Sequence, residues 1–356
     1  MTVTLEFGLD TFGDVTTGGD GQLLAQPQVI RNVVEEAVLA DRYSIDFFGI
    51  GEHHRKDFAV SAPEVVLSAI AARTGRIRLG SAVTVLSSDD PIRVFQRFST
   101  LDALSNGRAE VILGRGSFIE SFPLFGYDLS KYEELFEDKL DLFSELATKD
   151  VINYDGDWRP PLEDQIVYPP VAGGQLKTWI GVGGSPESVL RAVRHDMRLM
   201  LAIIGGDPRR FAPYVELYRK ASEQAGRPAR EIGVHSPGYV AESDQQARRD
   251  LFPHFKKVRD RLGQERGWPP VTEKDFQNEI EHGSLYAGSP ETVARKIAQL
   301  VGTLGISRFQ MKYSAGPMEH EKLMNSIELY GTKVIPMVRS LLSRPEVQAS
   351  PGNEHV

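Results

Sequence analysis

The chain of 356 residues contains no cysteine. Disulfides, thiolate zinc sites, iron–sulfur clusters and thiol nucleophiles are excluded together, and a cytoplasmic location is the expectation that fits. Positive charge is in short supply as well. Lys and Arg total 41 against 49 Asp and Glu, a formal charge of -8, which speaks against a nucleic-acid surface or an anionic membrane and leaves small molecules as ligands. Long apolar runs are missing too: "LMLAII" is strand-sized, far below the ~20 residues that cross a bilayer. The amino terminus "MTVTLEFGLD" has neither the basic start nor the apolar segment of a secretion signal, and its alternation reads as a first strand. No strand is followed by Gly-X-Gly-X-X-Gly, the fingerprint of a nicotinamide dinucleotide site.

What is present is a rhythm. From Val3 to about Arg115, the β-rich runs "VTLEFGL", "DFFGIG", "IRLGSAVTVL" and "AEVILG" alternate with helical patterns, as βαβ units of a parallel sheet do. Ile30, Val33, Val34, Ala37 and Val38 recur at helical spacing and give one helix a single buried stripe. "APEVVLSAIAARTG" opens on a proline suited to a first helical turn and closes at Gly75. Four further runs follow: "TWIGVG", "RLMLAII", "EIGVHSPGYVA" and "ISRFQMKY". Eight strands separated by helices favour a closed (β/α)8 TIM barrel over an open doubly wound sheet. The expectation is one barrel domain over residues 1–342, interrupted near 150–177 by a hairpin and near 251–287 by a long charged insertion. The second interruption could fold over the barrel mouth as a lid or remain a solvated excursion. Residues 343–356 read as a disordered tail.

Three stretches carry candidate chemistry. In "FGIGEHHRKDF" an apolar strand ends on Glu52, His53 and His54, at the end of the barrel where reacting groups are placed. Adjacent side chains point to different sides, so the two imidazoles do not easily share a metal, and no metal site is expected. His53 is the functional candidate; the other imidazole is expected to bond its neighbours. In "ILGRGSF", Arg115 stands between glycines that let a ligand approach, and its planar fork suits a phosphate. "VGGSPES" offers Gly183, Gly184, an N-cap Ser185 and Ser188, whose amides at a helix start could join Arg115 around an anion. An ordinary strand-to-helix turn explains Gly183 and Gly184 equally well. A second "GSPETV" at Gly288 reads as a plain helix cap. Gly80, Ser81 and Ala82 either make room for a flat ring or pack tightly inside the barrel.

With these residues in hand, the chain resembles the bacterial luciferase-like family of flavin-dependent monooxygenases. The resemblance is carried by "GEHH", "GSAVTVL", "DPIRVFQRFSTLDALSNGRAEVILGRG", "FPLFGYD", "TWIGVGGSPES" and "AGSPETVARKI". It implies an FMN site in which His53 falls on the catalytic histidine, with Glu52 and His54 on its flanking acid and second histidine. Arg115 falls on the arginine that meets the flavin phosphate, and Gly184, Ser185 and Ser188 on the phosphate turn. Ala82 and Val83 fall on a cis peptide beneath the flavin ring. Asp90 stands where luciferase has a histidine, and Gly114 where it has a reactive cysteine, so light emission from an aldehyde is not implied.

The resemblance further implies a monooxygenase that takes reduced FMN from a separate reductase and passes one oxygen atom of O2 to a small organic substrate, with a homodimer as the default assembly. His53 would act as a base, since a free imidazole titrates near ~6.5, and Glu52 would orient it or its neighbour. A deazaflavin-dependent hydride-transfer oxidoreductase is the alternative enzyme, and a flavin-binding protein without turnover the alternative of another class. Phe12, His235 and Tyr313 are possible substrate-lining residues, although core packing explains each of them singly.

Overall fold

A computed structural model describes residues 5–116 and 118–343; the expected tail lies outside the described residues apart from its first position, Ser343. Its centre is a closed parallel barrel. The strands are β1 (Glu6–Thr11), β2 (Phe47–Ile50), β3 (Arg78–Ser81), β4 (Ala109–Gly114), β5 (Lys177–Val182), β6 (Arg198–Ala202), β7 (Ile232–Val240) and β8 (Arg308–Lys312). Each pairs in parallel with the next, and β8 pairs back onto β1. All eight are the runs read from the sequence.

Helices α1 (Gln26–Arg42), α2 (Pro63–Ala71), α3 (Pro91–Ser105), α4 (Tyr132–Thr148), α5 (Pro186–Arg194), α6 (Ala212–Gln224), α7 (Asp244–Arg266), α8 (Glu273–Glu281) and α9 (Pro290–Leu304) surround the barrel. Their starts follow the chemistry of capping. Asp90, Ser185, Ser243, Thr272 and Ser289 each accept a backbone N–H at an N-cap, and six of these nine helices have proline in the first turn. A two-stranded antiparallel hairpin, Ile152–Tyr154 with Leu162–Gln165, occupies the first interruption. Most of α7 and all of α8 fill the second.

The strand register decides what lies inside. Glu6, Gly8 and Asp10 of β1 stand opposite Arg308, Gln310 and Lys312 of β8, and Gly233 and His235 of β7 opposite Arg308 and Gln310. The lower end is closed by a buried ion cluster. Arg308, fully buried, donates from Nε to Glu6 Oε2 at 2.8 Å and from Nη1 to Glu110 Oε2 at 2.8 Å, while Trp179 Nε1 donates to the same Glu110 oxygen at 2.8 Å. The Arg308 guanidinium lies 4.5 Å from the Phe47 ring centre and 4.6 Å from that of Trp179. That positive charge holds the Glu110 carboxyl well below its ordinary range despite its burial. Above the cluster, Phe47, Ile112, Trp179 and Met200 form an apolar plug, so solvent and ligands reach the interior only from the carboxyl ends of the strands.

The upper interior has two unlike halves. Gly49, Gly80, Gly114 and Gly181 on β2 to β5 face the first half. A Cβ at Gly80 would stand 2.8 Å from Glu110 O and 2.9 Å from Phe47, and one at Gly114 would stand 2.6 Å from Val83. Tight packing therefore explains Gly80. The second half, on β1, β7 and β8, carries Asp10, His235, Gln310 and Lys312.

Candidate functional site

Strand β2 delivers Glu52, His53 and His54 to the mouth, and they divide. The His54 ring nitrogen Nε2 lies 3.1 Å from Glu52 Oε1, and Glu52 Oε2 accepts from the Val85 amide at 3.4 Å. Glu52 therefore orients His54 and ties it to the chain just beyond the cis Ala82–Val83 peptide. His53 points elsewhere. Its backbone N–H donates to Val60 O at 3.2 Å, and its ring packs against Phe12, Phe58 and Phe118 with centroids 4.6, 4.6 and 4.8 Å away. Its Nε2 is buried and has no partner. Loss of water within this aromatic box lowers its pKa from 6.5 to about 3, only partly opposed by the Asp14 carboxylate. The near-neutral value expected from the sequence is not what this box produces: desolvation holds the imidazole neutral.

The other half of the site starts at β4 and β5, neighbouring parallel strands. Arg115, just past β4, pairs with Glu133 and lies over the Tyr132 ring at 5.4 Å. Ser185 caps α5: its Oγ accepts the Ser188 amide at 3.2 Å and donates to Ser188 Oγ at 2.9 Å. Gly184 has φ +115°, a backbone open only to glycine at low cost, and its carbonyl accepts from Tyr214 Oη at 2.7 Å. A Cβ on Gly183 would meet nothing within 4 Å, so the turn is accessible. One further side chain joins the two strands. Arg191 donates from Nη1 to Ser188 Oγ at 3.1 Å and sets Nη2 3.6 Å from the Glu133 carboxylate. Arg115 and the Ser185 turn thus stand at one end of the barrel, linked through Glu133 and Arg191. Arg191 escaped the sequence reading; its signal was the three-residue spacing from Ser188, one helical turn along α5.

A narrow cleft of about 10 Å³ lies between the loop after β2 and the segment after β4, lined among others by Glu52, His53, His54, Gly116 and Phe118. That is room for about one water. Its cover comes from two loops and the end of α7. Arg55 donates to Glu120 and Glu265 at 2.5 Å each and lies 4.5 Å from the Phe118 ring centre, while Arg261 pairs with Asp57 at 2.6 Å. Of the suggested lining residues, Phe12 and His235 are at the mouth, their rings stacked 6.3 Å apart. Tyr313 is not. It faces outward, fully buried, with its hydroxyl on Glu36 of α1, because it follows the inward-facing Lys312 by one position. Among the described residues, no group of three or more His, Asp and Glu side chains could hold a metal ion, and no helix is long and apolar enough to cross a membrane.

Comparison with known proteins adds to this geometry. Residues 11–308 match the family model described as luciferase-like monooxygenase. The 4-hydroxyprotoasukamycin monooxygenase of Streptomyces nodosus subsp. asukaensis is 25% identical over 85% of each chain. The F420-dependent glucose-6-phosphate dehydrogenase of Amycolatopsis mediterranei is 28% identical over 43% of this chain and 48% of its own. Among solved structures, the monooxygenase RslO1 of Streptomyces bottropensis superposes with a TM-score of 0.82 at 22% identity, covering 93% of this chain and 99% of its own. The oxygenating constituent of 3,6-diketocamphane monooxygenase of Pseudomonas putida, solved with FMN, gives 0.75 at 18% identity over 94% and 99%. With its matched segment spanning most of the barrel, the chain belongs to the luciferase-like monooxygenase family and is an enzyme of that oxidoreductase class.

Proposed function

We propose that this enzyme is a monooxygenase that uses reduced FMN, supplied by a separate reductase, to insert one atom of O2 into a small organic substrate. The observation that carries the proposal is the joining of Arg115 to the Ser185 turn across β4 and β5, with His53 at the same mouth. The donors fit a flavin phosphate: a guanidinium, an open glycine turn and a helix start. In this reading Arg115, Gly183, Gly184, Ser185 and Ser188 would hold the phosphate, and Ala82 and Val83 would help to hold the ring. The bound flavin supplies the redox chemistry with oxygen.

The chain's own residues then have distinct tasks. Arg115 would exchange Glu133 for the phosphate as its partner. Phe118 withdraws to admit the ring, since the cleft it now covers holds about one water. Phe12 and Phe58, which stay packed on His53, keep water from the reacting centre. His53, kept neutral by its apolar surroundings, presents an unpartnered Nε2 as a hydrogen-bonding group at the mouth. Glu52 holds His54 beside it.

A second reading stays in view because one relative is an F420-dependent dehydrogenase: hydride transfer with a deazaflavin in the same mouth. Anaerobic titration with reduced FMN and with reduced F420, followed by oxygen, separates the two. Tight FMN binding with oxygen consumed into an organic product supports the monooxygenase. Binding of F420 alone supports hydride transfer, and binding of neither refutes the flavin assignment.

A further inference from the structure

The polar half of the upper barrel contains a pair that the flavin site does not use. Asp10 is fully buried, and its Oδ2 lies 2.8 Å from His235 Nδ1 and 2.9 Å from Gln310 Nε2. A carboxylate only accepts, so both neighbours donate to it, and His235 is held as the tautomer with its proton on Nδ1. Nε2 is then the free nitrogen. The register turns His235 into the barrel, opposite Gln310, above a layer sealed by Met200 and Trp179. Its side chain retains 12% exposure, and with the interior closed below, that exposure faces the mouth. Phe12 stacks on His235 and meets His53 edge-on, so the two imidazoles flank one phenyl ring. Beside the pair, Asp10 Oδ1 and Gln310 Oε1 are buried acceptors without partners. Such groups are costly to leave unpaired. They favour a ligand that brings a donor.

We propose that Asp10 and His235 form a second functional pair for the reaction, with Asp10 positioning His235 and His235 Nε2 accepting the proton of a substrate hydroxyl. The substrate would be an alcohol or phenol whose apolar body lies against Phe12. In the step, the substrate O–H bond breaks, the Nε2–H bond forms, and the electron pair stays on oxygen. The resulting imidazolium is stabilised by Asp10, as a carboxylate behind a histidine does elsewhere. Neighbouring charges are few: Lys312 of β8 is neutralised by Asp14 at 2.9 Å and lies 4.9 Å from the Phe12 ring centre. The pair serves either redox reading, because an oxygenated phenol and an oxidised alcohol both react more readily with the hydroxyl proton removed.

This inference rests on the flavin assignment, and its test keeps the two apart. Protein with 15N-labelled histidine, the His235 signal identified by its loss in His235→Gln, reports the tautomer directly. The expected result is a protonated Nδ1 and a bare Nε2 in the wild type, and mixed tautomers in Asp10→Asn. Phenol and its methyl ether anisole are then added to the FMN-loaded protein and followed by flavin absorbance. Phenol is expected to bind about fivefold or more tighter than anisole, to move the Nε2 resonance, and to lose that advantage in Asp10→Asn. A proton on Nε2 in the wild type, or phenol and anisole behaving alike, overturns the pair. Failure of wild-type protein to bind FMN instead overturns the flavin assignment, while the tautomer still decides the Asp10–His235 geometry.

Discussion

Replacing Arg115 by alanine removes the guanidinium that faces the Ser185 turn but leaves the ring end of the mouth untouched. The loss can be bounded. A hydrogen bond to a charged group contributes about 1.5–3 kcal/mol. Arg115 must first release Glu133, an ion pair whose acid is 58% exposed, and exposed pairs contribute about 0.2–1 kcal/mol. The difference, about 0.5–2.8 kcal/mol, corresponds to a roughly 2- to 110-fold weaker FMN complex. Riboflavin, which has the same ring and no phosphate, sets the control. Fluorescence titrations of both ligands with wild type and Arg115→Ala should show FMN weakened within that range and riboflavin nearly unchanged. Equal weakening of both would mean that Arg115 supports the fold or the ring. Unchanged FMN affinity would mean that the phosphate binds elsewhere, and the reasoning would fail.

Three other outcomes follow from the same structure. Glu133→Gln should tighten FMN by about 1.5- to 5-fold, because the anion that competes for Arg115 and Arg191 is gone; weaker binding in a fluorescence titration would show that Glu133 helps to shape the site. His53 takes up its proton near pH 6.5 when unfolded but near pH 3 in the fold, so below pH 6.5 the unfolded chain binds more protons and stability falls with pH until about pH 3. The contribution is at most about 5 kcal/mol, and urea melts of His53→Phe should lose less stability between pH 7 and pH 4 than wild type; identical profiles would contradict the buried neutral imidazole. Glu110→Gln should lower stability by about 3–5 kcal/mol, since it leaves the fully buried Arg308 with one carboxylate fewer; a shift in the urea midpoint worth less than about 1 kcal/mol would mean that Glu6 alone suffices to hold the buried charge.

The barrel was legible because period-two alternation and N-cap chemistry are local. "GSPES" and "GSPET" announced α5 and α9 through Ser185 and Ser289, and each strand carried its own β-rich run. Inward-facing positions are less visible. Arg308 and Glu110 look like solvated charges in "ISRFQMKY" and "AEVILG", and only closure of β8 onto β1 places them together. Tyr313 stayed open between mouth and core in the sequence for want of one position of register, and it lies in the core. The site shows the same divide. Arg115 and the Ser185 turn could be named from residue type and order, whereas Arg191 and Glu133, which join them, come from two helices distant in sequence. The pKa of His53 could not be read either, because Phe12 and Phe118, which help to dehydrate it, lie 41 residues before and 65 after it.

The most direct test of the central claim is a crystal structure of the protein grown with FMN. The account predicts the phosphate within hydrogen-bond distance of Arg115 and the Ser185 turn, Glu133 released, Phe118 displaced, and the ring beside His53. A phosphate bound away from Arg115, or a ring on the far side of the Phe12 wall from His53, would contradict it.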